Sequence, residues 1–302
     1  MYDINDKKSG RVIPSPIRLV ALDLDGTLLD SEGRISDANL HAIRACIDNG
    51  VEVVASSGRA YNGLRTEELG NAGVRYGITV NGAAIYTIPE KHCLYEEAMT
   101  PEFGASLLRE VMRRDVSFVA FIDGIGYTDA YQEQDIKRLP LSEATRRYIH
   151  SSRTFVDSTL DLILEKQLPV QKITMNFYKD ADGNYIDREE LRQYFASIPD
   201  VTLVSGGFNN LEVTLSDVTK GNGLRRLCNI LDIPVEAAMG VGDSGNDLSL
   251  LQAAGVGVAM ANAEPEILKA ADFVTRSNDQ DGVAYAIDRL VFGANVWGLT
   301  SS

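Results

Sequence analysis

The 302-residue chain is long enough for a full hydrophobic core and for two domains of roughly 100–200 residues each. Its 44% hydrophobic and 24% charged composition is that of an ordinary soluble globular protein. With 43 acidic residues against 29 Lys and Arg, the formal charge of −14 argues against a dedicated nucleic-acid or anionic-membrane surface. A small anionic substrate stays compatible with that charge, because one metal ion and one lysine can reverse the field locally.

Cys46, Cys93 and Cys228 are odd in number and widely spaced without a CxxC pair, which reads as reduced thiols in a cytoplasmic protein. Cys46 and Cys228 fall in apolar-periodic stretches and read as core residues. No apolar run approaches the ~18–20 residues of a membrane span, and residues 1–16 carry charges but no signal-peptide centre. They read as a flexible tail.

Residues 17–24 form an apolar run of strand length, continuous enough for a parallel strand covered on both faces. After the Asp25-Gly26-Thr27 break, Ser36 or Asp37 can cap a helix over 38–49, with Leu40, Ile43 and Ile47 at helical spacing. Strands follow over 51–55 and 78–80, each closed by a polar turn: Ser56-Ser57-Gly58-Arg59 and Asn81-Gly82. Strand, polar turn and helix in alternation predict an α/β Rossmannoid fold, a doubly wound parallel sheet with functional loops at the strands' carboxyl ends.

The middle of the chain changes character. A hairpin of 83–88 with 92–97, strands over 116–122 and 170–178, and helices over 101–114 and 187–197 predict an α+β module inserted at 87–205. Phe118, Phe121, Phe177 and Tyr178 alternate along its strands and read as core. The core pattern resumes after Gly206-Gly207, which reads as a hinge or turn, with strands over 237–242 and 255–259 and helices over 246–254 and 265–271. The core is thus expected to comprise 17–86 and 206–302. Trp297 lies in an uninterpretable C-terminal stretch.

Two motifs carry chemistry. Asp23-Leu24-Asp25-Gly26-Thr27 ends the first buried strand, where two nearby carboxylates make sense if a cation sits between them. Gly26 permits a tight turn, and the Thr27 hydroxyl can bond phosphate oxygens. Gly242-Asp243-Ser244-Gly245-Asn246-Asp247 ends another apolar strand and opens a helix, with Asp243 and Asp247 as hard oxygen ligands of the kind magnesium takes. Helix capping is the plainer account of Asp247. Chance occurrence of both motifs in order is on the order of one in a hundred thousand. His41, His92 and His150 share no ligand spacing and read as non-catalytic.

With Ser57-Gly58-Arg59, Lys220-Gly221, Asn81-Gly82-Ala83 and Ala259-Met260-Ala261-Asn262-Ala263 added, the sequence resembles the Cof-like branch of the haloacid dehalogenase superfamily, from residue 17 to about 290. The resemblance implies a Rossmannoid core, an inserted cap of the C2 type, and a Mg²⁺-dependent phosphatase acting on small phosphomonoesters such as sugar phosphates, phosphorylated cofactors or nucleotides. It implies Asp23 as nucleophile and Asp25 as general acid/base. Thr27, Ser57, Gly58, Lys220 and Asn246 would be phosphate-binding. Mg²⁺ would be held by Asp23, the Asp25 carbonyl, Asp243 and Asp247, and Arg59 and Asn81 are candidate substrate contacts. Ser57 stands where the family usually has threonine, and Ser56 is a substitute for it. The inserted module would be a lid, with turns at 123–126 or 205–207 placed to reach the site. The alternatives left open are a phosphomutase or phosphotransferase using the same aspartyl phosphate, and a non-catalytic regulatory protein. Substrate identity and oligomeric state are not legible.

Overall fold

The computed structural model describes residues 16–204 and 210–293. Residues 1–15, the 205–207 segment with its Gly206-Gly207 pair, and Trp297 lie outside them. In chain order the first elements are β1 (Leu19–Leu22), α1 (Asp37–Asp48), β2 (Glu52–Ser56), α2 (Thr66–Asn71), β3 (Tyr76–Thr79), β4 (Ala84–Thr87) and β5 (Cys93–Glu96). Next come α3 (Pro101–Met112), β6 (Val116–Ile122), β7 (Ile125–Asp129), α4 (Glu143–Ser151), β8 (Arg153–Val156), α5 (Thr159–Glu165), β9 (Lys172–Phe177), α6 (Arg188–Ala196), β10 (Val201–Val204) and β11 (Leu211–Leu215). The last are α7 (Lys220–Ile230), β12 (Ala238–Gly242), α8 (Leu248–Ala253), β13 (Val256–Ala259), α9 (Pro265–Ala270), β14 (Phe273–Val274) and α10 (Gly282–Leu290).

All four residues of β1 are buried because the strand is central, running parallel to β2 on one side and β12 on the other. Its side chains alternate between two apolar layers. Val20 and Leu22 meet α1 and α10 through Ile43, Cys46, Val283 and Ile287. Leu19 and Ala21 meet α7 and α8 through Leu224, Leu227 and Leu250. The sheet runs β14-β13-β12-β1-β2-β3-β4-β5, parallel as far as β3. The polar turns that follow β1, β2, β3 and β12 therefore open on one edge, where ligands of such sheets bind. Ser36 caps α1 through a hydrogen bond from the Asn39 N–H.

A second sheet has the order β10-β11-β9-β6-β7-β8. Phe118, Ile173, Met175, Leu211 and Val213 point from one face into a layer with Leu107, Leu108, Ile163, Leu191 and Phe195 of the helices.

Two boundaries differ from the sequence reading. The hairpin of β4 and β5, assigned there to the inserted module, extends the first sheet, because β4 pairs antiparallel with β3 over four residues. Conversely β11, placed in the core after residue 206, pairs antiparallel with β9 and delivers Leu211 and Val213 to the second apolar layer. The helix expected over 246–254 begins as a 3-10 turn, Gly245–Asp247, before α8. Phe118 and Phe177 are core as read, whereas Phe121 packs at the seam between the sheets against Ala60, Val80 and Ala83. Cys46 and Cys228 are buried, and all three cysteines are free. No helix of the described residues is long and apolar enough to cross a membrane.

Candidate active site

Asp23 follows β1 directly, fixed by its N–H donating to the Val241 carbonyl of β12 at 3.0 Å. Lys220, the first residue of α7, is 1% exposed and reaches Asp23 Oδ1 at 2.7 Å and Asp247 Oδ1 at 2.6 Å. Asp247 Oδ2 accepts from the Asp243 and Ser244 N–H groups, both at 3.0 Å. The capping role and the site role of Asp247 are thus carried by different oxygens of one carboxylate. Asp23, Asp243 and Asp247 each offer a ligand oxygen, all within 4.8 Å of one another.

Three carboxylates around one lysine repel each other. Burial, then the Asp247 charge, pushes the Asp23 carboxyl well above its ordinary range, against the pull of Lys220. Burial and Asp247 push Asp243 up to about 6, against its hydrogen bond from Thr27. Burial works against the Lys220 ammonium, yet Asp23 and Asp247 together hold its pKa above normal. Such a set, hard oxygen donors that are mostly buried and carry more negative charge than their single lysine balances, could hold a cation. Magnesium fits such a donor set.

The turn after β1 is shaped around that cluster. Gly26 has φ +79°, and a Cβ there would overlap Asp243 Oδ2. Asn262 donates to the Gly26 carbonyl at 2.8 Å and accepts from the Asn278 N–H, which accounts structurally for that part of the sequence signature. Thr27 is fully buried, and its hydroxyl donates to Asp243 Oδ1 at 3.0 Å. In this conformation the Thr27 side chain orients an acid; it does not face outward as a phosphate donor.

Ser57 is buried and its Oγ accepts from the Arg59 N–H at 3.1 Å. The Ser56 hydroxyl, the substitute considered for it, is buried with no hydrogen-bond partner among the described residues. Asn246 donates to Asn81 Oδ1 at 3.2 Å and accepts from Ser244 Oγ, so the turns after β12 and β3 are tied together. Gly82, at φ +103°, lies where a Cβ would strike the Thr219 carbonyl, which lets the Asn81 turn pack on the start of α7.

Asp25 differs from its neighbours in being exposed. Arg59 grips it with both arms, Nε to Oδ2 at 2.8 Å and Nη2 to Oδ1 at 2.6 Å, and Tyr148 of α4 lies over the guanidinium at 4.8 Å. Arg59 therefore binds a core acid and a ring from the second sheet's side of the molecule.

The sequence reading missed the groups that the second sheet brings. Lys172 of β9, 1% exposed, donates to the Gly58 carbonyl at 2.7 Å and pairs with Glu212 of β11 at 3.0 Å. Glu212 in turn accepts from the Asn81 amide at 2.6 Å. Charged residues inside otherwise apolar strands were the available signal. The turn at 123–126 packs instead at Tyr61 and Tyr86, beside the β4–β5 hairpin. No histidine belongs to the acid cluster.

Residues 20–287 match the family model of the haloacid dehalogenase-like hydrolases. The phosphatase YwpJ of Bacillus subtilis is 32% identical over 91% of this chain and 100% of its own length. The 5-amino-6-(5-phospho-D-ribitylamino)uracil phosphatase YwtE of the same organism is 28% identical over 92% of this chain and 99% of its own. A solved haloacid dehalogenase-like hydrolase from B. subtilis superposes with a TM-score of 0.75 at 31% identity, covering 89% of this chain and 98% of the other. The chain belongs to the haloacid dehalogenase-like hydrolase family, in its Cof-like branch, and is a phosphoric monoester hydrolase.

Proposed function

We propose that this hydrolase removes phosphate from a small phosphorylated metabolite through an aspartyl phosphate on Asp23, with Mg²⁺ as cofactor. The observation that carries the reading is the buried cluster of Asp23, Asp243 and Asp247 around Lys220 at the sheet's carboxyl edge. Asp23, Asp243, Asp247 and the Asp25 carbonyl would hold the ion, which offsets repulsion between a carboxylate nucleophile and a phosphate dianion.

In the first step an Asp23 oxygen bonds to phosphorus while the bond to the leaving oxygen breaks, and that oxygen takes a proton from Asp25. In the second step water bonds to phosphorus, Asp23 leaves as carboxylate, and Asp25 receives the water's proton. To donate in this way Asp25 has to leave the fork of Arg59, where both its oxygens are acceptors. Lys220 favours the ionised form of Asp23 against burial and the neighbouring acids, and a bound cation would add to that pull. Ser57, the Gly58 N–H and Asn246 surround the phosphoryl oxygens, and the second sheet closes as a lid that excludes water.

Phosphate release from a panel of phosphorylated metabolites, with Mg²⁺ and with chelator, tests this against Asp23→Asn. The variant should lose at least about 10³-fold in kcat and keep its circular-dichroism spectrum. Release that survives in a clean preparation of Asp23→Asn sinks the assignment.

A further inference from the structure

On the reading that Asp23 takes the phosphoryl group, the alcohol it leaves behind must meet the face of the second sheet that covers the site. Along β9, Ile173, Met175 and Phe177 enter the apolar layer, so Lys172, Thr174 and Asn176 share the opposite face. Lys172 shows where that face points, since its ammonium rests on the Gly58 carbonyl. Thr174 stands directly opposite Glu212 in the β9–β11 register, about 5 Å away between Cβ atoms as such pairs are.

The bonding on this patch is uneven. Glu212 accepts from Lys172 and from Asn81, and Lys172 spends two of its three N–H donors, on Gly58 and Glu212. Thr174 is only 6% exposed, yet its Oγ1 has no hydrogen-bond partner among the described residues. A buried hydroxyl left unpaired is unfavourable for folding. The buried ion pair is by itself weak evidence of a role in stability, since such pairs are often replaceable by apolar residues at little cost.

We propose that Thr174, Lys172 and Glu212 read the leaving group, and that it is an uncharged alcohol bearing further hydroxyls. The spare ammonium N–H donates, the Glu212 carboxylate accepts, and the Thr174 hydroxyl does either. Lys172 and Glu212 cancel in charge, so the patch offers hydroxyl recognition without a net charge to hold a second anionic group. Phosphomonoesters of polyols fit it better than bisphosphates, whose leaving group keeps a second anionic group.

The test compares kcat/KM for a polyol phosphate with that for p-nitrophenyl phosphate, which presents no hydroxyls, in the parent, Thr174→Val and Glu212→Gln. Thr174→Val is nearly isosteric and deletes a hydroxyl that bonds nothing in the fold, so its Tm should equal or exceed the parent's. The polyol-to-aryl ratio should nonetheless fall about 3- to 10-fold, and about 10-fold or more in Glu212→Gln, whose lost bond is charge-assisted. Should Glu212→Gln fold poorly, Thr174→Val alone decides. An unchanged ratio overturns the proposal, as does a parent enzyme that prefers bisphosphates over polyol monophosphates. Absence of Mg²⁺-dependent release even from p-nitrophenyl phosphate would instead overturn the phosphatase reading, and this proposal with it.

Discussion

Lys220 and Lys172 are each 1% exposed and each donates to a carboxylate, but their pKa values move in opposite directions. Burial depresses the Lys172 ammonium, and Glu212 alone does not offset it. Burial acts on Lys220 too, yet Asp23 and Asp247 together carry it above its ordinary value. Around Lys220 there are three acids to one cation, all held by turns of the first sheet. Around Lys172 the count is one to one, and the bonds to Gly58 and Asn81 cross between two sheets. A buried surplus of carboxylate is relieved by a further cation or by taking up a proton, whereas a balanced pair needs neither. The first arrangement suits a metal and a phosphoryl group, the second a neutral ligand and a closing seam.

The widest gap between the two should appear on deleting each lysine. Lys220→Met leaves Asp23 and Asp247 buried without their cation, so a loss of about 3–5 kcal/mol is expected in chelator. Lys172→Met leaves Glu212 its Asn81 donor and access to water when the sheets part, so about 1–2 kcal/mol is expected. Urea unfolding of both variants measures this, and equal losses would break the comparison.

The acids of the first cluster were legible in the sequence because each lies in a short local motif, although it is the pairing of β1 with β12 that brings the motifs together. Asp23 and Asp243 each follow a continuous apolar run, and a central parallel strand is the only common element that buries both faces of so short a run. The second cluster depends on pairing between distant strands. Lys172 was visible as a charge in an apolar stretch, but nothing within 170–178 says that Glu212 lies across from Thr174. The misassigned hairpin has the same cause. Alternation along 83–88 and 92–97 identifies two strands, while which sheet they extend is decided by the pairing of β4 with β3. Tyr148 was missed because a tyrosine on a polar helix has no local mark of the guanidinium beneath it.

Magnesium itself separates the clusters more finely. With free Mg²⁺ at about 100 times its Kd, the folded chain should gain about 2.7 kcal/mol, or roughly 5 °C in Tm at about 2 °C per kcal/mol for a chain of this size. Glu212→Gln should keep that increment, because the seam pair lies outside the acid cluster, and Asp243→Asn should lose most of it. Thermal melts of the three proteins with and without Mg²⁺ provide the check. Loss of the increment in Glu212→Gln would mean that the two clusters act as one.

The smallest expected effect is also the most local. Gly26→Ala would place a Cβ on Asp243 Oδ2 and ask alanine to hold φ at +79°. The backbone cost is about 1–3 kcal/mol, and the displaced carboxylate should weaken Mg²⁺ binding about 10-fold or more, as lost support of a ligand does. Titration of Mg²⁺ against phosphate release should therefore show a raised midpoint, with kcat partly recovered at saturating metal. The Lys172 seam should not respond, so the ratio of polyol phosphate to p-nitrophenyl phosphate turnover should stay at the parent value in saturating Mg²⁺. A shifted ratio in Gly26→Ala would show that strain at the metal turn travels through Asn246 and Asn81 into Glu212, along the hydrogen bonds that join them.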